Sequence, residues 1–338
     1  MFGRSLRRLT ALTLAAAATA ALGAGCGSSS DDDGGSGTSA ASGGGGGDKP
    51  VVGFINGSSV EFNMCVSRGL KAGLGDAAEL NEVNSRDDVG AEVSNGEDLL
   101  ARKPDALVLQ TVNVQSGAQI VDKANGDDVP VFLSSVDFVR DPSKVAGAVV
   151  FDNGATGAKI GGFLAEQVRA AGGSGEVKVG IVAGAPGAAS DFLVRGFKGA
   201  LAAAPNAKVV FEQPGMWNRG KAASVAENMI QAQPDLDYVL VSNEDMAFGV
   251  LKSLQAAGKD GQVKILTNGG TELGLRAVED GEFLSTTDAS PFQIGFRTGR
   301  AVLDQLDGRS AAEPVQTLPV QVITRDNAAG AAAYCAAS

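Results

Sequence analysis

The sequence predicts an α/β fold made of two doubly wound parallel-sheet units. Three observations carry this. After residue 50, short apolar runs of strand length alternate with amphipathic stretches of helical length. The runs are almost continuously apolar, as expected of strands covered by helices on both faces. The 289 residues from 50 to 338 suffice for two cores of ordinary size.

In chain order the apolar runs are VVGFIN (51–56), ALVLQ (106–110), VPVFLS (129–134), AGAVVF (146–151) and VKVGIVAG (177–184). KVVFEQPG (208–215), YVLVSN (238–243), VKILTN (263–268) and FLSTTD (283–288) follow. Each is bounded by Gly, Pro, Asn, Asp or Ser, the residues that end strands. ELNEVN (79–84) is the candidate second strand, and its polarity makes it the weakest. Helices are expected over 155–171, 192–204, 221–233 and 245–257.

The first 48 residues have another character. Arg4, Arg7 and Arg8 precede an uncharged Ala/Leu-rich stretch from Leu9 to Leu22, too short for a spanning helix. Leu22-Gly23-Ala24-Gly25-Cys26 resembles a bacterial lipoprotein signal, which makes residues 1–25 a removable signal peptide and Cys26 a lipidated N-terminus. Arg7-Arg8 leaves twin-arginine export open beside the general route. Residues 27–49 contain nine Gly, six Ser and four Asp and have no apolar face, so 26–49 is expected to be a flexible tether. Nine of the 47 Gly fall there.

Composition narrows the function. The chain has no histidine, which excludes Ser-His-Asp and Cys-His nucleophile systems and His-ligated metals. With 28 Lys and Arg against 39 Asp and Glu the net charge is −11, and losing the three arginines of residues 1–25 takes it to −14. Such a body suits neither nucleic acid nor an anionic lipid surface. Gly184-Ala185-Pro186-Gly187 lacks the spacing of a phosphate loop and reads as a turn.

Ligands of doubly wound sheets bind beyond the carboxyl ends of the strands. At those positions stand Asn56, Ser58, Ser59, Glu61, Phe62, Asn63, Ser134, Ser135 and Asp137. Ser190, Asp191, Met216, Trp217, Asn218, Asn243, Glu244, Asp245, Asn268, Gly269 and Asp288 complete the set. It holds no Lys, and Arg219 lies just beyond Asn218. Carboxylates and amides pair with hydroxyls, and flat rings stack on the C–H face of a sugar, so the set suits a small neutral polyhydroxylated ligand. Singly, Asp152, Ser190, Asp191 and Asp245 also read as helix N-caps, and Trp217 as half-buried packing.

The body is similar to the type I periplasmic sugar-binding proteins, the ribose-binding-protein-like receptors of ABC transporters. The resemblance covers nearly all of residues 50–326. It rests on SSVEFNMCVSRGLKAG (58–73), VPVFLSS (129–135), VVFDNGATG (149–157), GIVAGAPGAASDFLVRGFKGAL (180–201), the run from 213 to 259, and SPFQIGFRTGRAVLDQL (290–306). It implies two lobes that close on a ligand about a three-crossover hinge, near Asp152-Asn153, Asp288 to Pro291 and Leu318-Pro319. The N-lobe would be 50–152 plus 290–317, the C-lobe 153–288 plus 319–330, and 331–338 a tail. Matched residue by residue, the first-helix aromatic pair of the family falls on Phe62 and Asn63. Trp217 takes the stacking aromatic and Asn243 the amide. A family Asp-Arg pair falls on Ser135-Val136, and an arginine falls on Asp191. An aspartate falls on Gly269, beside Asn268, and the hinge glutamine falls on Ala289, beside Asp288. With both arginines replaced and Glu61, Asp137, Asp191 and Asp288 near the cleft, a neutral or cationic ligand is expected.

The expected ligand site is therefore Glu61, Phe62, Asn63, Ser135, Asp191, Trp217, Asn243, Asn268, Gly269 and Asp288. No cofactor, metal or catalytic residue is expected. The implied partners are a sugar or polyol and an ABC permease with its ATPase. The implied setting is a monomer, lipid-anchored on the extracytoplasmic face of a bacterial membrane. The alternative within the same fold is a receptor read by a chemoreceptor or sensor kinase. A carboxylate-pair glycosidase has no marked pair, and the export signal argues against a repressor of the same core fold. Of three cysteines, Cys65 and Cys335 remain after Cys26, either bridged or as two separate thiols.

Overall fold

The computed structural model describes residues 49–135, 141–309, 314–331 and 335. The expected signal segment, Cys26 and the expected tether up to residue 48 lie outside the described residues, as do Val136 and Asp137.

The first half runs β1 (Val51–Asn56), α1 (Glu61–Leu74), β2 (Glu79–Asn84), α2 (Val89–Ala101), β3 (Ala106–Gln110), α3 (Val114–Gly126), β4 (Val131–Ser135) and β5 (Gly147–Val150). The second runs α4 (Asn153–Ala170), β6 (Val177–Ala183), α5 (Ala188–Leu201), β7 (Ala207–Pro214), α6 (Arg219–Ala232), β8 (Tyr238–Val241), α7 (Glu244–Ala256), β9 (Lys264–Leu266), α8 (Glu272–Glu279) and β10 (Thr286–Thr287). The chain ends through α9 (Pro291–Leu306), β11 (Val315–Thr317) and β12 (Val322–Ile323).

Two parallel sheets result, ordered β11-β5-β4-β3-β1-β2 and β7-β6-β8-β9. Both reverse direction of travel beside their first strand, between β1 and β3 and between β6 and β8, so each lobe has one switch point. Helices cover both faces. In the first lobe α1 and α9 pack on one side and α2 and α3 on the other; in the second, α4 and α5 oppose α6 and α7. The chain passes between the sheets three times, after β5, after β10 and after β11. Phe151, Leu318 and Val320 bury these crossings against Val66 and Ile294.

The polar candidate second strand is a strand because it is the sheet edge, paired in register with β1 from Val51–Glu79 to Asn56–Asn84. Its Glu82 is put to use: Asn56 Nδ2 (3.1 Å) and Ser67 Oγ (2.6 Å) donate to it. The expected strand 283–288 is mostly not one. Ser285 bridges Leu266, and only Thr286 and Thr287 pair, antiparallel, with β12, because the chain there leaves the parallel sheet to cross to the other lobe.

Candidate functional site

A cleft of about 440 Å³ lies between the lobes, within the size range of small-molecule sites. Its walls are the loops at the two switch points. The first lobe supplies the ends of β1 and β3, and the second supplies the turn after β6 and the ends of β7 and β8. The lobes use equivalent loops because they share the β-α-β winding order.

Local sequence sets these loops. Asn113, Asn218 and Asn243 each cap the helix that follows, accepting from the amides of Gln115 (2.8 Å), Lys221 (3.0 Å) and Met246 (2.9 Å). Capping uses the Asn243 oxygen and leaves its Nδ2 without a protein acceptor among the described residues. The residue thus serves as cap and as cleft wall together. After β2, Arg86 and Asp87 hold left-handed φ of 52° and 63°; after β7, Met216 and Trp217 hold 59° and 56°. Such angles in bulky residues cost about 1–3 kcal/mol each and gather at functional sites.

Of the expected residues, Phe62, Asn63, Ser135, Trp217, Asn243 and Asn268 line the cleft. Phe62 packs edge-on against Phe151, ring centroids 6.1 Å apart, on the first-lobe side. Trp217 lines the cleft from the second lobe, its ring lying against the bare backbone of Gly184. Glu61 and Gly269 line a smaller recess of about 20 Å³ at the mouth, together with Arg219 and Asp245. Glu61 is engaged there by Arg68 at 2.7 Å, and a side chain at Gly269 would run into Glu244. Asp191 and Asp288 line neither space. Asp191 is exposed in the first turn of α5, whose N-cap is Gly187, and its neighbours Ala189 and Ser190 reach the cleft instead. Asp288 sits in a crossing, its backbone N–H donating to Gln321 O (2.8 Å) and its carboxylate accepting from Ser290 Oγ (2.5 Å).

The cleft also holds residues that the strand-end reading passed over: Arg86, Asp87, Gln110, Thr111, Asn113, Asn153 and Lys221. The basic side chains correct the expectation of a wall without cations. Arg86 follows the least apolar strand, and Lys221 is the third residue of α6, so neither stood at a strand end picked out by an apolar run. Applying the same rule after 79–84 and 106–110 finds Arg86, Asp87, Thr111 and Asn113.

Two buried polar atoms of residues in the wall have no protein partner among the described residues: Gln110 Oε1, whose own Nε2 donates to Ser135 Oγ (2.8 Å), and Ser242 Oγ. Burial pushes the Asp87 carboxyl up; the Ser58 hydroxyl, donating at 3.0 Å, pulls it down, and Asp245 from the other lobe raises it again.

One buried carboxylate braces each wall. In the first lobe Glu92 accepts from Val112 N (2.8 Å) and from Ser116 Oγ, fixing the loop after β3. In the second, Glu244 accepts from Gly270 N (2.9 Å), Thr271 N (3.1 Å), Thr271 Oγ1 (2.5 Å) and Thr286 Oγ1 (2.5 Å), fixing the turn that begins at Asn268. Neither calls for a metal. Behind the mouth, Cys65 of α1 is bonded to Cys335.

Comparison with known proteins agrees with this geometry. Residues 52–310 match a family described as periplasmic binding protein domain. The xylitol-binding protein of Mycolicibacterium smegmatis is 30% identical over 267 residues, covering 76% of this chain and 73% of that protein. The ribose import binding protein RbsB of Bacillus subtilis is 28% identical over 243 residues, covering 72% and 76%. A Mycobacterium smegmatis protein solved in complex with β-D-fucofuranose has the same fold, with a TM-score of 0.77 at 22% identity over 83% of this chain and 93% of that one. These relatives are binding proteins rather than enzymes. A family match over most of the body, on two parallel-sheet lobes with a cleft at their paired switch points, makes this chain a member of the periplasmic binding protein family.

Proposed function

We propose that the protein captures a small polyhydroxylated molecule, a monosaccharide or polyol, between its two lobes and delivers it to an ABC permease. The carrying observation is the cleft itself, lined by the amides of Asn63, Asn113, Asn243 and Asn268, the hydroxyls of Ser58, Thr111 and Ser190, and the rings of Phe62 and Trp217. Rings stack on the C–H face of a sugar while amides take its hydroxyls in pairs. The curated relatives named for ribose and xylitol support the same class. Arg86 and Lys221 against Asp87 leave the wall slightly cationic, which extends the candidate ligands to those carrying one acidic group.

Delivery is supported by the placing of exposed large hydrophobics. Among the described residues these are Met64, Val89, Phe192, Met216 and Leu273. Met216 lines the cleft, Leu273 the small recess, and Met64, Val89 and Phe192 stand near the N-terminal ends of α1, α2 and α5, the helix ends that follow the strand ends. A membrane partner docking on that rim would cover them. The leader supports attachment through a lipidated Cys26, with the tether giving a reach of about 25–30 Å. Membrane fractionation of wild type and C26A tests this, a C26A chain that stays membrane-bound opposing it.

The decisive experiment is a thermal-shift screen over monosaccharides, polyols and their acids, with mass spectrometry of any co-purified ligand. Saturable one-to-one binding that changes Trp217 fluorescence is expected; Trp217 is the one tryptophan in the sequence. No shift with any member of the panel would sink the assignment.

A further inference from the structure

The three crossings are not the whole covalent connection between the lobes. Beyond β12 the chain stays with the second lobe. Ile323 and Ala328 are buried in its core with Val278 and Phe283, and Ala331 packs against the same cluster. Arg325 donates from Nε (3.1 Å) and Nη2 (2.9 Å) to the Glu279 carbonyl, pinning this segment to the end of α8. Four residues after Ala331, Cys335 is buried and bonded to Cys65. Cys65 belongs to the other lobe, in α1, where Leu70 lies in a first-lobe core cluster and the adjacent Val66 packs against the crossings.

Two anchors in different lobes are therefore joined by four peptide steps, which reach at most about 14 Å when fully extended. We propose that the Cys65–Cys335 disulfide is a covalent strap across the hinge, limiting how far the lobes open and released by reduction. It rests on the reading of the lobes as a closing pair. The strap ends beside the cleft mouth: Arg68 donates to Cys335 Sγ from Nε (3.0 Å) and Nη2 (2.6 Å) and to Glu61 Oε1 (2.7 Å), and Glu61 lines the mouth recess. A restricted open state leaves less conformational change for the ligand to drive, so the strap raises apparent affinity.

The test is small-angle scattering of the ligand-free full chain in four forms: oxidised wild type, wild type reduced by a phosphine, C335S, and wild type with a long Gly/Ser segment inserted after Ala331. The insertion keeps the bond and the fold while lengthening the strap. The reduced, C335S and inserted forms are expected to show a larger radius of gyration than the oxidised form. The reduced form serves if C335S folds poorly, with circular dichroism as the check. Equal radii across the folded forms, or free alkylation of both thiols in the native exported protein, would overturn the strap. Since no ligand is needed, expansion together with an empty sugar screen would leave the strap standing and remove the sugar assignment.

Discussion

Trp217 holds a φ of +56° with its indole against Gly184, where a Cβ would come within 2.2 Å of the ring. A wall residue so placed is set by its backbone rather than by its rotamer. W217A is expected to weaken a bound sugar about tenfold, about 1.4 kcal/mol, measured by calorimetry. G184A leaves the ring intact but displaces it, so the tryptophan emission of the free protein should shift and affinity fall while the fold persists. An unchanged spectrum and affinity would refute the contact. Glu244 shows the other kind of residue, buried and acting through its neighbours. Its carboxyl is pushed up from its ordinary 4.5 by burial, against the hydrogen bonds of Thr271, Thr286 and Gly270. The folded state then takes up this proton before the unfolded state does. The stabilisation is fully present below about pH 4.5 and is lost as pH rises through the raised native value. E244Q, which presents an amide donor to backbone N–H groups, should cost about 1–3 kcal/mol. The gap in melting temperature between wild type and E244Q should widen on acidification from neutrality; a constant gap would show that Glu244 does not titrate in this way. Asn243 stood out in the sequence as an expected ligand contact; the structure puts it on the cleft wall and adds that its oxygen caps α7, a role the sequence suggests for Asp245. Lys221 was not visible, because a lysine in the first turn of a helix looks like any solvated charge.

Helix pairs decide where each lobe is tight. On α4, a Cβ at Gly157 or Gly161 would fall on the carbonyl of Leu193 or Phe197 of α5, and on α1 one at Gly69 or Gly73 would meet Phe292 or Phe296 of α9. The neighbouring Gly162 faces open space. Two adjacent substitutions in one helix should therefore have opposite signs. G161A is expected to destabilise by about 1–3 kcal/mol through backbone displacement, while G162A should stabilise by up to about 1 kcal/mol through helix propensity. Melting curves of the two variants check this, and equal effects would contradict the close approach. The periodicity of these helices was readable, since their apolar residues recur at helical spacing. Which glycine touches the neighbouring helix was not, because it depends on the crossing of two elements more than thirty residues apart in α4 and α5, and far more in α1 and α9. The edge strand β2 was read from its bounds, and its polarity is explained by the use of Glu82 as a hydrogen-bond acceptor. The strand expected at 283–288 failed at the same level. An apolar run signals burial, and Phe283 and Leu284 are buried in the second-lobe cores, but beyond Ser285 the chain turns away from β9 to cross to the other lobe, so a strand pairs there only over two residues.

At the scale of the molecule, a ligand that binds the closed form better than the open one shifts the population toward closure. A bound sugar should lower the radius of gyration of the protein, and an invariant value at saturating ligand would speak against hinge closure. The chain by itself determined the doubly wound units, most of their strand ends and the polar, aromatic character of the cleft wall. These follow from local rules: apolar continuity marks a covered strand, and residues just beyond it face the sheet edge where ligands bind. The absence of histidine suited a receptor that does no chemistry, and the acidity of the chain kept nucleic acid out of consideration. The balance of charge inside the cleft was decided by folding. Arg86 and Lys221 join the wall, while Asp191 stays on the surface and Asp288 in a crossing. Net charge counts residues wherever they are; a cleft sees the few that two separate loops bring within reach. The bond between Cys65 and Cys335 belongs to the same class, since their sequence separation of 270 carries no information about proximity. Only the return of the chain through α9, β11 and β12 brings the last cysteine to the first helix.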